Sequence, residues 1–112
     1  MVNKRKSARY YSLAAARIPS VSGGEALLRD LSVTGGCMEY TMFADVQTGT
    51  EYTLEIIPEA ASNVEKFDLT IEIRWIHYEG YACSVGFNIL ASPKGKLFQR
   101  YVDYLAWRSS SQ

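Results

Sequence analysis

Ile71-Glu72-Ile73-Arg74-Trp75 and, after a short gap, Cys83-Ser84-Val85-Gly86-Phe87-Asn88-Ile89 are the stretches that decide the fold. Apolar residues take every second position in both. A strand turns successive side chains to opposite faces, so period two with one apolar face marks half-buried antiparallel strands. On this reading Ile71, Ile73 and Trp75 share one face. Glu79-Gly80 falls between the two runs, and a glycine in so short a gap predicts a tight hairpin.

The same pattern extends outward. Tyr52, Leu54 and Ile56 alternate with Thr53 and Glu55, which gives a further strand. Residues 58–65, opened by Pro58, read as a longer connection, and residues 45–49 as a loop. Residues 37–42 form another expected strand. Ala26-Leu27-Leu28 suits a strand or a short helix; the flanking glycines and the short length favour a strand over 25–31. Residues 11–18 complete the set, although Ala14, Ala15 and Ala16 are poor strand formers. Ser22-Gly23-Gly24 marks the turn between these first two strands. Near the C-terminus the period changes. Leu97, Phe98, Tyr101, Val102 and Leu105 recur at spacings of three and four, the stripe of an amphipathic helix. Ser92-Pro93 reads as an N-cap followed by proline at the first helical position, which predicts a helix over 93–108, weakened at its start by Gly95. The expected fold is mainly β, a small antiparallel six-stranded barrel with a C-terminal α-helix. The expected divisions are a flexible basic arm over 1–10, the barrel and helix over 11–108, and a tail over 109–112.

At 112 residues the chain is one domain. Hydrophobic residues make up 47% of it, which places it among globular proteins rather than disordered ones. No apolar run approaches the about 20 residues of a membrane span, and the basic N-terminus is not followed by the apolar core of a signal peptide. These features imply a cytoplasmic protein without membrane insertion. Cys37 and Cys83 have no metal-ligand spacing. They leave a disulfide or two buried thiols open, and the compartment favours thiols. Formal charge is zero, but unevenly spread. Residues 1–29 hold six basic residues against one acid, Glu25, and the remainder holds six against eleven. An anionic partner near the N-terminal segment, or a solvated basic tail, accounts for that asymmetry.

The basic segment contains Arg5 and Arg9, spaced four apart. Further on, Arg29-Asp30-Leu31-Ser32-Val33-Thr34-Gly35-Gly36 places an acid, two hydroxyls and two glycines in one short stretch. Alone, that stretch reads as a tight turn between strands. Together, Arg5-x-x-x-Arg9 and Asp30-x-Ser32-x-x-Gly35 resemble the two-part signature of the PilZ domain. The strand bearing Trp75, the Val85-Gly86-Phe87 run and the terminal helix are similar to that family too, so the resemblance spans nearly the whole chain. It implies binding of cyclic di-GMP and relay of the signal to an unidentified protein partner. It also implies a ligand-binding set of Arg5, Arg9, Asp30, Ser32 and Gly35. The arginines would meet guanine edges and phosphate, Asp30 and Ser32 the base or other polar groups, and Gly35 would permit the turn. A planar guanidinium suits both O6/N7 of guanine and phosphate oxygens, which lysine does not.

Two alternatives stand beside this reading. One is a PilZ-like interaction module that binds no nucleotide; the other is a small-barrel binder of single-stranded nucleic acid that uses the basic arm and aromatics. Nucleic acid is the less favoured partner, and no cofactor or metal is expected. No catalytic residue is assigned. The single histidine, His77, has no nucleophile beside it in sequence, and the acids are scattered. Trp75, Trp107 and the eight tyrosines read mostly as core and barrel-surface aromatics; for Tyr10 or Tyr11, stacking on a base stands as an alternative to packing.

Overall fold

The computed structural model describes residues 8–21, 24–42, 44–93 and 95–110. Among the described residues, seven strands and one α-helix follow in order, with a short 3-10 turn at Ala60–Ser62 between the fifth and sixth strands. They are β1 (Tyr10–Tyr11), β2 (Ala15–Arg17), β3 (Ala26–Leu31), β4 (Gly35–Tyr40), β5 (Glu51–Ile57), β6 (Phe67–Glu79), β7 (Ala82–Ala91) and α1 (Leu97–Ser110). All pairings are antiparallel, and β3 pairs with both β2 and β4. The sheet therefore closes as β3, β2, β5, β6, β7, β4 and back to β3, the six-stranded barrel expected from the sequence. Closure removes the free edges that an open sheet of this size would expose.

β1 and β2 lie along the same partner, β3, and form one interrupted strand. The break comes at Ser12, which is buried and turns its hydroxyl to accept the Ala14 N–H at 3.0 Å. Ala14, Ala16 and Ile18 still alternate into the core. Here alanine is a small inward residue in a narrow barrel, which propensity alone undervalues. Leu28, Met38, Leu54, Ile56, Leu69, Ile71, Ile73, Val85 and Phe87 fill the rest of the interior. β6 and β7 join through Gly80 and Tyr81. Gly80 has φ +64°, as the first central position of a two-residue hairpin turn requires.

The helix begins at Leu97, not at Pro93. Gly95, with φ +93°, is left-handed backbone and cannot belong to the first helical turn. Ser92-Pro93 is therefore a loop and not the cap. The helix also runs past Arg108 to Ser110. Its apolar stripe, Tyr101, Val102 and Leu105, is buried, and Phe67 at the start of β6 packs against both Phe98 and Tyr101 with ring centroids 6.0 Å apart. At this end of the barrel Ala8, Tyr10 and Val33, from the residues before β1, from β1 and from the β3–β4 turn, line a cavity with Gln99, Val102, Asp103 and Ala106 of α1. Among the described residues no helix is long and apolar enough to cross a membrane.

A chain of polar groups fixes α1 to this end. The Tyr101 hydroxyl donates to Glu59 Oε1 at 2.6 Å and accepts from the Ser12 hydroxyl at 2.8 Å. Arg108 Nη1 donates to Glu59 Oε2 at 2.8 Å. Burial, and then the Glu59 acceptor, push the Tyr101 hydroxyl well above its ordinary pKa of 10.0. The folded state thus holds this proton more tightly than the unfolded chain does. Its contribution is fully present below pH 10 and is lost as pH rises beyond that value. Tyr101→Phe should cost about 1–3 kcal/mol at neutral pH by leaving Ser12 and Glu59 short of a partner. The variant should also lose stability less steeply than wild type above pH 10, as denaturant melts at several pH values would show.

Candidate functional site

Of the expected site residues, Arg9, Asp30, Ser32 and Gly35 lie together at the end of the barrel where β3 turns into β4. Arg5 lies outside the described residues. Arg9 precedes β1 and donates from Nη1 to Asp30 Oδ1 at 3.2 Å, with both side chains about one-third exposed. Two residues 21 apart in sequence, one from each half of the signature, are thus joined across the β1–β3 pair. An exposed ion pair of this kind is worth about 0–1 kcal/mol. A phosphate or a guanine edge can therefore compete for the guanidinium at little cost.

Asp30 faces outward because of a bulge. Leu28 pairs with Met38 and Asp30 pairs with Cys37, so Arg29 is the extra residue on β3. Strict alternation from buried Leu28 would send Asp30 into the core. The bulge reverses the phase, leaving Asp30 outside and Leu31 buried. A second bulge does the same on β6. Ile73 pairs with Phe87 and Trp75 with Gly86, so Arg74 is extra. Ile73 is buried, whereas Trp75 is 44% exposed on the outer face. This corrects the sequence reading that put Ile71, Ile73 and Trp75 on one face.

Strand register then aligns Tyr11, Asp30, Cys37, Gly86 and Trp75 in one row across four neighbouring strand pairs. The Trp75 indole covers Gly86, where an added Cβ would meet the ring at 2.1 Å. With strands about 4.8 Å apart, Asp30 stands about 10 Å from Gly86. One end of the row therefore offers a carboxylate and a guanidinium, and the other an open aromatic face. Arg29, bonded to Glu39 at 3.1 Å, lies beside it. Cys37, at the centre, is a free thiol whose pKa is raised by burial and then by Asp30.

Ser32 and Gly35 have structural duties in this arrangement. Ser32 is 1% exposed. Its hydroxyl accepts the N–H groups of Thr34 and Gly35 and donates to the Gly35 carbonyl, each at 3.2 Å. Its own N–H reaches the Gly35 carbonyl at 2.8 Å. Gly35 is not at positive φ, so the turn does not need its conformational freedom. A Cβ there would sit 2.4 Å from the Phe87 carbonyl oxygen, and at Gly36 it would sit 2.6 Å from the Asp30 carbonyl oxygen. Both glycines are demanded by the close passage of β4 between β3 and β7.

Trp75 was assigned no contact with the ligand at the sequence level. The signal was present: counting back from the Glu79-Ala82 pair at the hairpin end sets Trp75 opposite Gly86, and an aromatic across from a strand glycine covers exposed backbone.

No protein-family model and no curated protein matches this sequence. Among solved structures, the chain is similar to that of the Bacillus subtilis inhibitor of motility (MotI/DgrA), with a TM-score of 0.77 at 16% identity. The alignment covers 99% of this chain and 53% of that one, so this chain spans about half the length of that structure. The likeness concerns the fold alone: a small antiparallel barrel with its terminal helix.

Ser32→Ala should lower stability by about 1–3 kcal/mol, because two backbone N–H groups lose their acceptor in a buried turn. Gly35→Ala should cost at least as much, since the clash is with backbone. Thermal melts of both variants test the structural assignment.

Proposed function

We propose that the chain is a PilZ-like receptor that binds cyclic di-GMP on the outer face between Arg9 and Trp75 and relays the signal to a protein partner. The observation that carries this reading is the Arg9–Asp30 pair. The two signature halves meet on one exposed face, in a contact weak enough for a ligand to replace. Arg9 supplies a planar fork for guanine O6/N7 or phosphate oxygens. Trp75, packed over Gly86 and 44% exposed, supplies a surface on which a base can stack. The role is regulatory and not enzymatic, in a bacterial cytoplasm, with output through a protein surface. The resemblance of the fold to a motility inhibitor supports a regulatory role.

A second reading is favoured by the engagement of Ser32. A serine that is buried, with its hydroxyl committed to its own turn, presents no group to a ligand in this state. Such use of the motif suits a PilZ-like interaction module that binds no nucleotide.

Titration calorimetry with cyclic di-GMP decides between them. Binding is expected for wild type. Arg9→Ala should weaken it about ten- to hundred-fold, the range of a lost charge-assisted hydrogen bond. Arg9→Lys should not restore it, because the charge returns without the fork. Wild-type affinity in the lysine variant would sink the bidentate argument, and absence of heat with wild type would favour the interaction module. Oligonucleotide binding that falls steeply with salt would instead point to the nucleic-acid alternative.

A further inference from the structure

We infer that Tyr11 is a second stacking residue for this ligand and that Arg108 is its positioning residue; the inference rests on the cyclic di-GMP reading above. Tyr11 is the register partner of Asp30 and closes the opposite end of the row from Trp75. Its ring is 58% exposed, so core packing does not hold it. What holds it is a cation. The Arg108 guanidinium stands 5.7 Å from the Tyr11 ring centroid and the same distance from the Tyr104 ring. It also donates to the Tyr11 backbone carbonyl through Nη2.

The brace is itself braced. Arg108 is tied to Glu59, and Glu59 to the buried Tyr101 hydroxyl. An exposed tyrosine normally samples several rotamers, and freezing it on binding costs affinity. Here the α1 side supplies that order before any ligand arrives, and the ring stays open beside the Arg9–Asp30 pair. A cyclic dinucleotide carries two bases, and the row has an aromatic residue at each end. Cation–π attraction on one side leaves the other face available to a base.

The competing explanation is that Tyr11 merely shields the Arg108–Glu59 pair. The two explanations differ in how the residues couple. If Arg108 acts through Tyr11, its effect on affinity vanishes once the ring is gone. If it only secures the helix, its effect is on stability in every background.

The test is calorimetric titration of the full chain with cyclic di-GMP, with a thermal melt of each variant. Tyr11→Phe should bind like wild type, since the ring remains. Tyr11→Ala should weaken binding about ten-fold or more, the loss of one stacked base. Arg108→Lys keeps the charge but not the fork, and should weaken binding by a smaller factor. Tyr11→Ala combined with Arg108→Lys should match Tyr11→Ala alone. Unchanged affinity in Tyr11→Ala would overturn the stacking role. A loss from Arg108→Lys that persists in the Tyr11→Ala background would overturn the positioning role. A wild type that binds no cyclic di-GMP would remove the functional reading itself, and this inference with it, whereas failure of the Tyr11 variants alone leaves that reading standing.

Discussion

Two bulges of one residue each determine what the outer face of this barrel can present. Alternation along β3 and β6 would bury Asp30 and Trp75, a carboxylate and an indole N–H that a small apolar interior cannot satisfy. Arg29 and Arg74 are the inserted residues. Each is itself polar and exposed, so the insertion places no apolar group in solvent. The phase reversal turns Asp30 and Trp75 outward and still delivers Leu31 and Ile76 toward the interior side. Because β4 and β7 lie between the two bulged strands, both side chains come out on the same row. The candidate site therefore arises from irregularities in the ladder rather than from its regular part.

Between Asp30 and Trp75 the row carries only Cys37 and Gly86. Gly86 has room only for the Trp75 ring above it, and beside the row β4 passes between β3 and β7 with no room for a Cβ at Gly35 or Gly36. The small central residues leave a shallow surface between Asp30 and Trp75. Ser32 holds the turn that starts β4 on this path. On the proposed reading, the second signature half couples a structural function to a binding one. Ser32 and Gly35 set the position of β4, and Asp30 offers the polar group. Loss of Ser32 would act on a ligand through the backbone it organises.

Much of the fold was legible in the sequence, for a physical reason. β5, β6 and β7 keep period two because one face of each meets the core, and α1 keeps a spacing of three and four for the same reason. The helix start was misread because Ser92-Pro93 satisfies cap chemistry locally, while the decisive residue, Gly95, acts through a backbone angle that composition does not reveal. The outward turn of Trp75 was misread because a bulge leaves no mark on an apolar pattern: Ile71, Ile73 and Trp75 look like one face until the pairing with β7 is known. Within the site, the family resemblance placed Arg9 and Asp30 in one ligand-binding set but, with a flexible arm expected over 1–10, not in direct contact; their ion pair comes from the β1–β3 pairing and from the bulge at Arg29 that turns Asp30 outward. The contribution of Arg108 could not be read at all, since it depends on a helix returning to a residue 97 positions earlier.

That return ties the candidate site to the terminal helix. Arg9 and Tyr11 reach the outer face, while Ser12, one residue on, is bonded to Tyr101 inside. The same few residues thus face the candidate ligand on one side and α1 on the other. Ordinary loops absorb displacement, but the segment from Arg9 to Ser12 is bonded to β3 through its backbone and to α1 through two side chains of that helix. Packed elements of this kind shift between discrete arrangements rather than deform smoothly. Under the proposed function, a ligand that replaces the Arg9–Asp30 contact would act on backbone already tied to α1 through Tyr101 and Arg108. The exposed side of that helix, including Trp107, is then the surface most directly connected to the site.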